Sequence, residues 1–176
     1  MNHIRLAQRY AKALFELAVE QNVMEQVKTD MSLVVEVFNN RDFRNMIFSP
    51  IIRQEKKQDI IREIFKKSVA ELSLLYILLI IKKKRESFLK EIAEQYIEIY
   101  KLEKGIITTT IKTTISLDAK LREQIISLMK SETKSEIELI EEVDENLLGG
   151  FVLEYNDKLY DASVRRKLSK LRRELI

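Results

Sequence analysis

The sequence predicts an α+β protein in two parts: an all-α bundle of five or six helices over residues 1–104, then a small β-α-β-β-β-α module over residues 105–176. Three observations carry that expectation. The period of the apolar residues changes at Gly105 from that of a helix to that of a strand. The run Leu74–Ile81 is apolar at every position and stops at Lys82-Lys83-Lys84-Arg85, far short of the about 20 residues that span a membrane. Glycine and proline are scarce, with Gly 3 and Pro 1, so Gly105, Gly149, Gly150 and Pro50 act as punctuation.

The elements follow in order. Residues 5–20 form a helix whose main stripe is Ile4, Ala7, Ala11, Leu14, Phe15 and Ala18, with a second stripe of Leu6, Tyr10, Ala13 and Leu17. A helix over about 23–39 has the stripe Met24, Val27, Met31, Val34 and Phe38. Asp42 is placed to cap a short helix through Phe43, Met46 and Ile47, and Ser49-Pro50 ends it because proline disfavours helix before it. Residues 54–67 form a helix with Ile60, Ile61, Ile64 and Phe65 inward. The apolar helix follows, with stripes Leu74, Ile77, Leu78, Ile81 and Leu72, Leu75, Tyr76, Leu79. Either it is buried on all sides, or one stripe packs in the bundle and the other lines a groove for a partner helix. Residues 87–104 complete the bundle, with Leu89, Ile92, Ala93, Tyr96, Ile99 and Tyr100 on one side.

After Gly105, Ile107, Thr109, Ile111, Thr113 and Ile115 alternate with polar residues, as in a half-buried strand. Asp118 can cap a helix to about Lys130 with the face Leu121, Ile125, Leu128 and Met129. Ile137, Leu139 and Val143 mark a second strand with Glu136, Glu138 and Glu142 on its outer face. Residues 151–155 and 158–160 read as a hairpin across Asn156-Asp157. Asp161 then caps a basic helix whose Val164, Leu168, Leu171 and Leu175 are expected to face the sheet.

Several chemistries find no residues here. There is no cysteine, hence no disulfide or thiolate metal site. The N-terminus lacks a signal-peptide pattern, which points to a cytoplasm-like compartment. His3 stands alone, and no glycine spacing fits a phosphate loop. Glu136, Glu138, Glu141, Glu142, Asp144 and Glu145 read as a solvated face rather than a cation site. Neither catalytic, cofactor nor metal residues are expected. Lys82–Arg85 and Arg165–Arg173 leave a basic nucleic-acid-binding adaptor as the alternative, although no aromatic residues interleave with them.

One stretch is more specific. Val143-Asp144-Glu145-Asn146-Leu147-Leu148-Gly149-Gly150-Phe151-Val152-Leu153, followed by Asp161-Ala162-Ser163-Val164-Arg165, resembles the signature of the delta subunit of F-type ATP synthases, the family of the mitochondrial oligomycin-sensitivity-conferring protein. Arg9-Tyr10-Ala11-Lys12-Ala13-Leu14-Phe15 is similar to that family's opening motif, and the resemblance runs from about Leu6 to Leu175. Two positions depart from it: Lys84 stands where the family often has glycine or asparagine, and Arg166 where it often has glycine. The resemblance implies a non-enzymatic, peripheral-stalk subunit that supports ATP synthesis and proton or other ion transport. It implies that residues 1–104 bind N-terminal helices of the alpha subunits in a groove of Tyr10, Ala13, Leu17, Leu75, Tyr76 and Leu79. It further implies that residues 105–176 bind the b subunits, and that the chain sits on the cytoplasmic face of a bacterial plasma membrane through partners only. Gly149, Gly150, Asp161 and Ser163 are expected to be structural.

Overall fold

The computed structural model describes residues 2–144, 146–155 and 158–174. Glu145 of the acidic set, the Asn156-Asp157 turn and Leu175 lie outside the described residues, as does the side chain of His3. The chain divides into two compact units, Met1–Tyr100 and Lys101–Ile176. The sequence places its boundary slightly later, at the glycine.

The first unit holds α1 (Asn2–Glu20), α2 (Met24–Val37), α3 (Arg41–Phe48), α4 (Gln54–Phe65), α5 (Glu71–Lys82) and most of α6 (Leu89–Lys104), the last entered through one tight turn at Glu86–Phe88. Its core runs through every helix. Ala7, Leu14, Val27, Met31, Ile47, Ile61, Phe65, Ile77, Ile92 and Tyr96 are all wholly buried. Aromatic rings knit the short helices together: Phe43 meets Phe38 edge-on at 5.0 Å and Phe65 at 6.3 Å between centroids.

Details differ from the sequence expectations for identifiable reasons. Asn40, not Asp42, caps α3; its side chain accepts from the Asp42 and Phe43 amides at 2.8 and 3.2 Å. Of the apolar residues of α4 only Ile61 and Phe65 are fully inward, and Ile64 is exposed. Ile4 is exposed as well, leaving Ala7, Ala11, Leu14, Phe15 and Ala18 to pack α1. The inner face of α5 is Ser73, Tyr76, Ile77, Ile80 and Ile81, which matches neither stripe drawn on it. A helix apolar all round gives no phase from hydrophobicity alone. Lys84, just past the end of α5, has φ +56, a conformation that glycine or asparagine adopts at less cost.

The second unit begins with the last turn of α6, where Lys101 bonds Thr108 at 3.1 Å and pairs with Glu138 at 2.7 Å. It contains β1 (Ile106–Thr113), α7 (Ala119–Thr133), β2 (Glu136–Val143), β3 (Phe151–Tyr155), β4 (Lys158–Asp161) and α8 (Val164–Glu174). The sheet order is β2-β1-β3-β4. β1 and β2 run parallel, from Ile106 opposite Glu136 to Thr113 opposite Val143, and α7 makes the crossover that parallel strands require. β3 runs antiparallel to both β1 and β4.

Asp118 caps α7 through the Leu121 amide. Met129 of α7 is buried against Ile111 and Leu153 of the sheet, with Ile125, Ile137, Leu139 and Phe151 partly buried around them. Ile115 lies beyond β1 and is exposed, as are Leu121 and Leu128 on α7. The acidic strand is not simply solvated: Glu136 pairs with Lys130, Glu141 with Arg122 and Glu142 with Lys112.

The last helix departs most. Val164, Leu168 and Leu171 do not cover the sheet; every residue of α8 whose side chain is described is exposed. The physical reason is that α7 already covers the apolar cluster on the sheet.

Candidate partner-binding site

The six residues expected to line a groove fall on α1 and α5 of the first unit. On α1 the inward residues leave Tyr10, Ala13 and Leu17 on a separate face, spaced three and four apart as one helical row requires. Tyr10 is half-buried, Ala13 is exposed and Leu17 is 41% exposed. On α5, Leu75 and Leu79 stand outward at 59% and 43% exposure, while Leu72 and Leu78 are half-buried.

Tyr76 behaves differently from its five companions. Only 7% exposed, it donates its hydroxyl to the Tyr10 carbonyl at 2.8 Å and so ties α5 to α1. Burial, helped by the neighbouring Tyr10, raises its pKa well above the ordinary tyrosine value, so the phenol stays a donor. Tyr76 is thus a strut joining the two helices, and the leucines and Ala13 are the apolar surface they present. Tyr10 is held in turn by Arg85, whose guanidinium donates to the Tyr10 hydroxyl at 2.8 Å and lies 5.2 Å from its ring centroid.

Three polar residues missed by the sequence reading fix this frame. Asp30 of α2 is buried and accepts from the Ala70 amide at 2.9 Å and the Ser73 hydroxyl at 2.6 Å, capping α5 from another helix. At the other end of α5 the Gln54 side chain donates to the Ile81 carbonyl. Lys57, also buried, donates to the Ile47 carbonyl at 2.6 Å and pairs with Glu86 at 2.8 Å, anchoring the turn into α6. A signal was present for Asp30, Lys57 and Ser73, though not for Gln54. Asp30 falls in the apolar row Val27, Met31, Val34, and Lys57 falls in the row of Ile61 and Phe65. Ser73 shares the face of Tyr76, Ile77 and Ile80. Most polar side chains in an apolar row are buried ones with a partner.

The signature residues of the second unit meet in one place. Gly150 has φ +79, and a Cβ there would stand 2.5 Å from the Ala162 carbonyl oxygen. Gly149 has φ +138, and its Cβ would press Val164 at 3.1 Å. Its carbonyl accepts from the Val164 amide at 2.9 Å. Ser163, buried, is the cap of α8: its hydroxyl accepts from the Arg166 amide at 3.2 Å. Asp161 does not cap the helix itself; it accepts from the Ser163 amide at 2.9 Å and sets that cap. Hydrogen bonds from Ser163, aided by Arg166, hold its carboxyl below the usual carboxylate range. These four residues lock a loop against a helix start.

Among the described residues no cluster of histidine and carboxylate side chains could hold a metal ion, and no helix is long and apolar enough to cross a membrane. What the geometry defines is a two-unit adaptor: one well-packed unit with apolar side chains left outward, and one small unit with an uncovered helix.

The sequence profile of the ATP synthase delta (OSCP) subunit family matches residues 6–175. The chain is 39% identical over 176 residues to the ATP synthase subunit delta of Christiangramia forsetii, covering 99% of this chain and 95% of that one. It is 35% identical over 173 residues to that of Cytophaga hutchinsonii, covering 98% and 94%. Its fold is similar to that of a chain in the Toxoplasma gondii mitochondrial ATP synthase hexamer, with a TM-score of 0.76 at 22% identity over 97% of each chain. The chain belongs to the family of ATP synthase delta (OSCP) subunits, non-catalytic components of the peripheral stalk of F-type ATP synthases. That membership leaves the nucleic-acid adaptor reading without support.

Proposed function

We propose that this chain is the stator link that holds the catalytic head of the synthase to its membrane sector, with a different partner on each unit. Residues 1–104 receive an amphipathic N-terminal helix of the alpha subunits across Tyr10, Ala13, Leu17, Leu75 and Leu79, above the Tyr76 strut. Residues 105–176 engage the b subunits. The chain then works at the cytoplasmic face of a bacterial plasma membrane and reaches the bilayer through these partners alone. A link that resists torque needs two separate attachments, and the division of the chain into two compact units supports that reading.

The observation that carries the first attachment is the outward set of Leu17, Leu75 and Leu79 on two helices that the Tyr76 bond ties together. Covering such side chains contributes roughly 1.5–3 kcal/mol each when burial is complete, enough to seat a helix in a groove. Titration calorimetry with a peptide from the N-terminus of the alpha subunit tests it. Saturable binding with a negative heat-capacity change is the expected result. Ala13→Asp, at an exposed position, is expected to weaken binding at least tenfold while leaving the thermal unfolding of the unit unchanged. Equal affinity in that variant removes the groove assignment.

A further inference from the structure

We infer that α8 is the surface by which the second unit takes its stalk partner, and that the partner is an acidic amphipathic helix seated along Val164, Leu168 and Leu171. This rests on the proposal above that residues 105–176 engage the b subunits, and adds which surface does so and what chemistry it selects.

Spacing comes first. Val164, Leu168 and Leu171 follow one another at intervals of four and three, and the sequence continues the row at Leu175, outside the described residues. That is the d-a-d-a register of a coiled-coil seam, narrower than the stripe of a helix that packs on a sheet. Second, the seam is bare. Leu168 and Leu171 are 54% and 53% exposed, and α7 already covers the apolar cluster of the sheet. The start of α8 is nonetheless fixed by the Ser163 cap and by the bond from the Val164 amide to the Gly149 carbonyl. The helix is therefore held at its root, with its apolar side uncovered.

Charge selects the occupant. In this register Arg165 and Arg172 fall at e positions and Lys167 at g, the positions that border the seam and decide pairing. A second copy of α8 aligned in parallel sets Lys167 against Arg172, and an antiparallel one sets Arg165 against Arg172. Both are like-charge contacts; the sequence puts Glu174 at the next g position, which offsets the antiparallel repulsion in part, so the parallel self-pairing is the one charge disfavours most. A helix with carboxylates beside its own apolar row relieves that repulsion and covers the leucines. A lipid surface is the lesser fit, because the seam is only three aliphatic residues wide among the described residues and carries no aromatic side chain.

The test uses the full chain and the soluble segment of the b subunit from the same organism, with binding followed by calorimetry at two salt concentrations. Wild-type affinity is expected to fall as salt rises. Leu168→Asp is expected to weaken binding at least tenfold, and Lys167→Glu with Arg172→Glu to weaken it comparably and flatten its salt dependence. All three positions are exposed, so the thermal transitions should stay in place. Binding of the alpha-subunit peptide should stay equal to wild type. If both variants bind the b segment as well as wild type does, the partner sits elsewhere on the unit and this inference is wrong, while the stator reading stands. If wild type binds the alpha peptide and not the b segment, the b-subunit half of that reading fails and α8 loses its partner with it. Anionic phosphatidylglycerol vesicles complete the set: association lost in Leu168→Asp with b affinity intact assigns α8 to a membrane surface and overturns the proposal.

Discussion

The two units solve the same problem of stability with very different means. The first buries side chains from all six of its helices in one continuous cluster, backed by capping and strut bonds from Asp30, Gln54, Lys57 and Tyr76. Among the described residues of the second, Ile111, Met129 and Leu153 form the whole buried apolar cluster. That unit leans instead on ladder bonds, ion pairs and one tight loop at Gly149-Gly150. A large core spreads its dependence over many contacts, whereas a small one concentrates it in backbone geometry that a single atom can upset.

Substitutions can break that contrast. Phe65→Ala empties a fully buried site among Phe43 and its neighbours and is expected to cost about 4 kcal/mol, lowering the first unit's unfolding transition without abolishing it. Gly150→Ala is expected to cost the second unit about 3 kcal/mol through left-handed strain and the clash with Ala162. In a unit with so small a core that loss should erase its cooperative transition. Calorimetric scans of both variants check this. A second unit that still unfolds cooperatively near the wild-type temperature in Gly150→Ala would show its stability to be more evenly spread.

Asp30→Ala is next in size. It strips the Ala70 amide and the Ser73 hydroxyl of their acceptor, at a cost of about 2 kcal/mol. Urea titration should register this in the first unit only.

The smallest effects come from pH, and they differ in sign between the units. Asp161, Asp144 and Glu141 all have pKa values lowered in the fold: by bonds from Ser163, by bonds from Asn146, and by the bond from Arg122. As pH falls, the unfolded chain takes up these protons first, at about pH 4. The second unit therefore keeps this contribution above about pH 5 and loses it as pH drops through 4 and below. In the first unit, burial raises Tyr76 and Tyr96 above the ordinary tyrosine value. Its stability should hold up to about pH 10 and decline beyond, where the unfolded phenols ionise. Scans across pH should move one transition at each extreme; both moving together at acid pH would erase the distinction.

The same contrast explains what the sequence made legible. Helices with one apolar row, such as α2 and α6, announce their inner faces because hydrophobicity and phase coincide. In α5 they do not, and Ser73 rather than any leucine marked the inside. The strands of the second unit were readable from their alternation, but their order was not, since period two says nothing of which neighbour a strand chooses. The apolar row of α8 was visible too. Its fate was not, because a row that packs at home and one that packs on a partner are written alike. Of the proposed groove, the outward leucines were legible as surplus to one core, while Tyr76 hid its role as a strut behind an apolar spacing.

One last consequence lies in the parallel pairing of β1 with β2. No hairpin can form it; the chain between Ile106 and Glu136 contains the whole of α7. The loop closed in that step is long, and its entropy is spent before any ladder bond is made. The bundle closes loops that are longer still, since Tyr76 bonds Tyr10 at a separation of 66 residues. On the ribosome, where the N-terminal half emerges first, the bundle completes its fold ahead of the sheet. The surface proposed for the catalytic head is thus finished earlier than the one proposed for the stalk, an order set by the direction of synthesis.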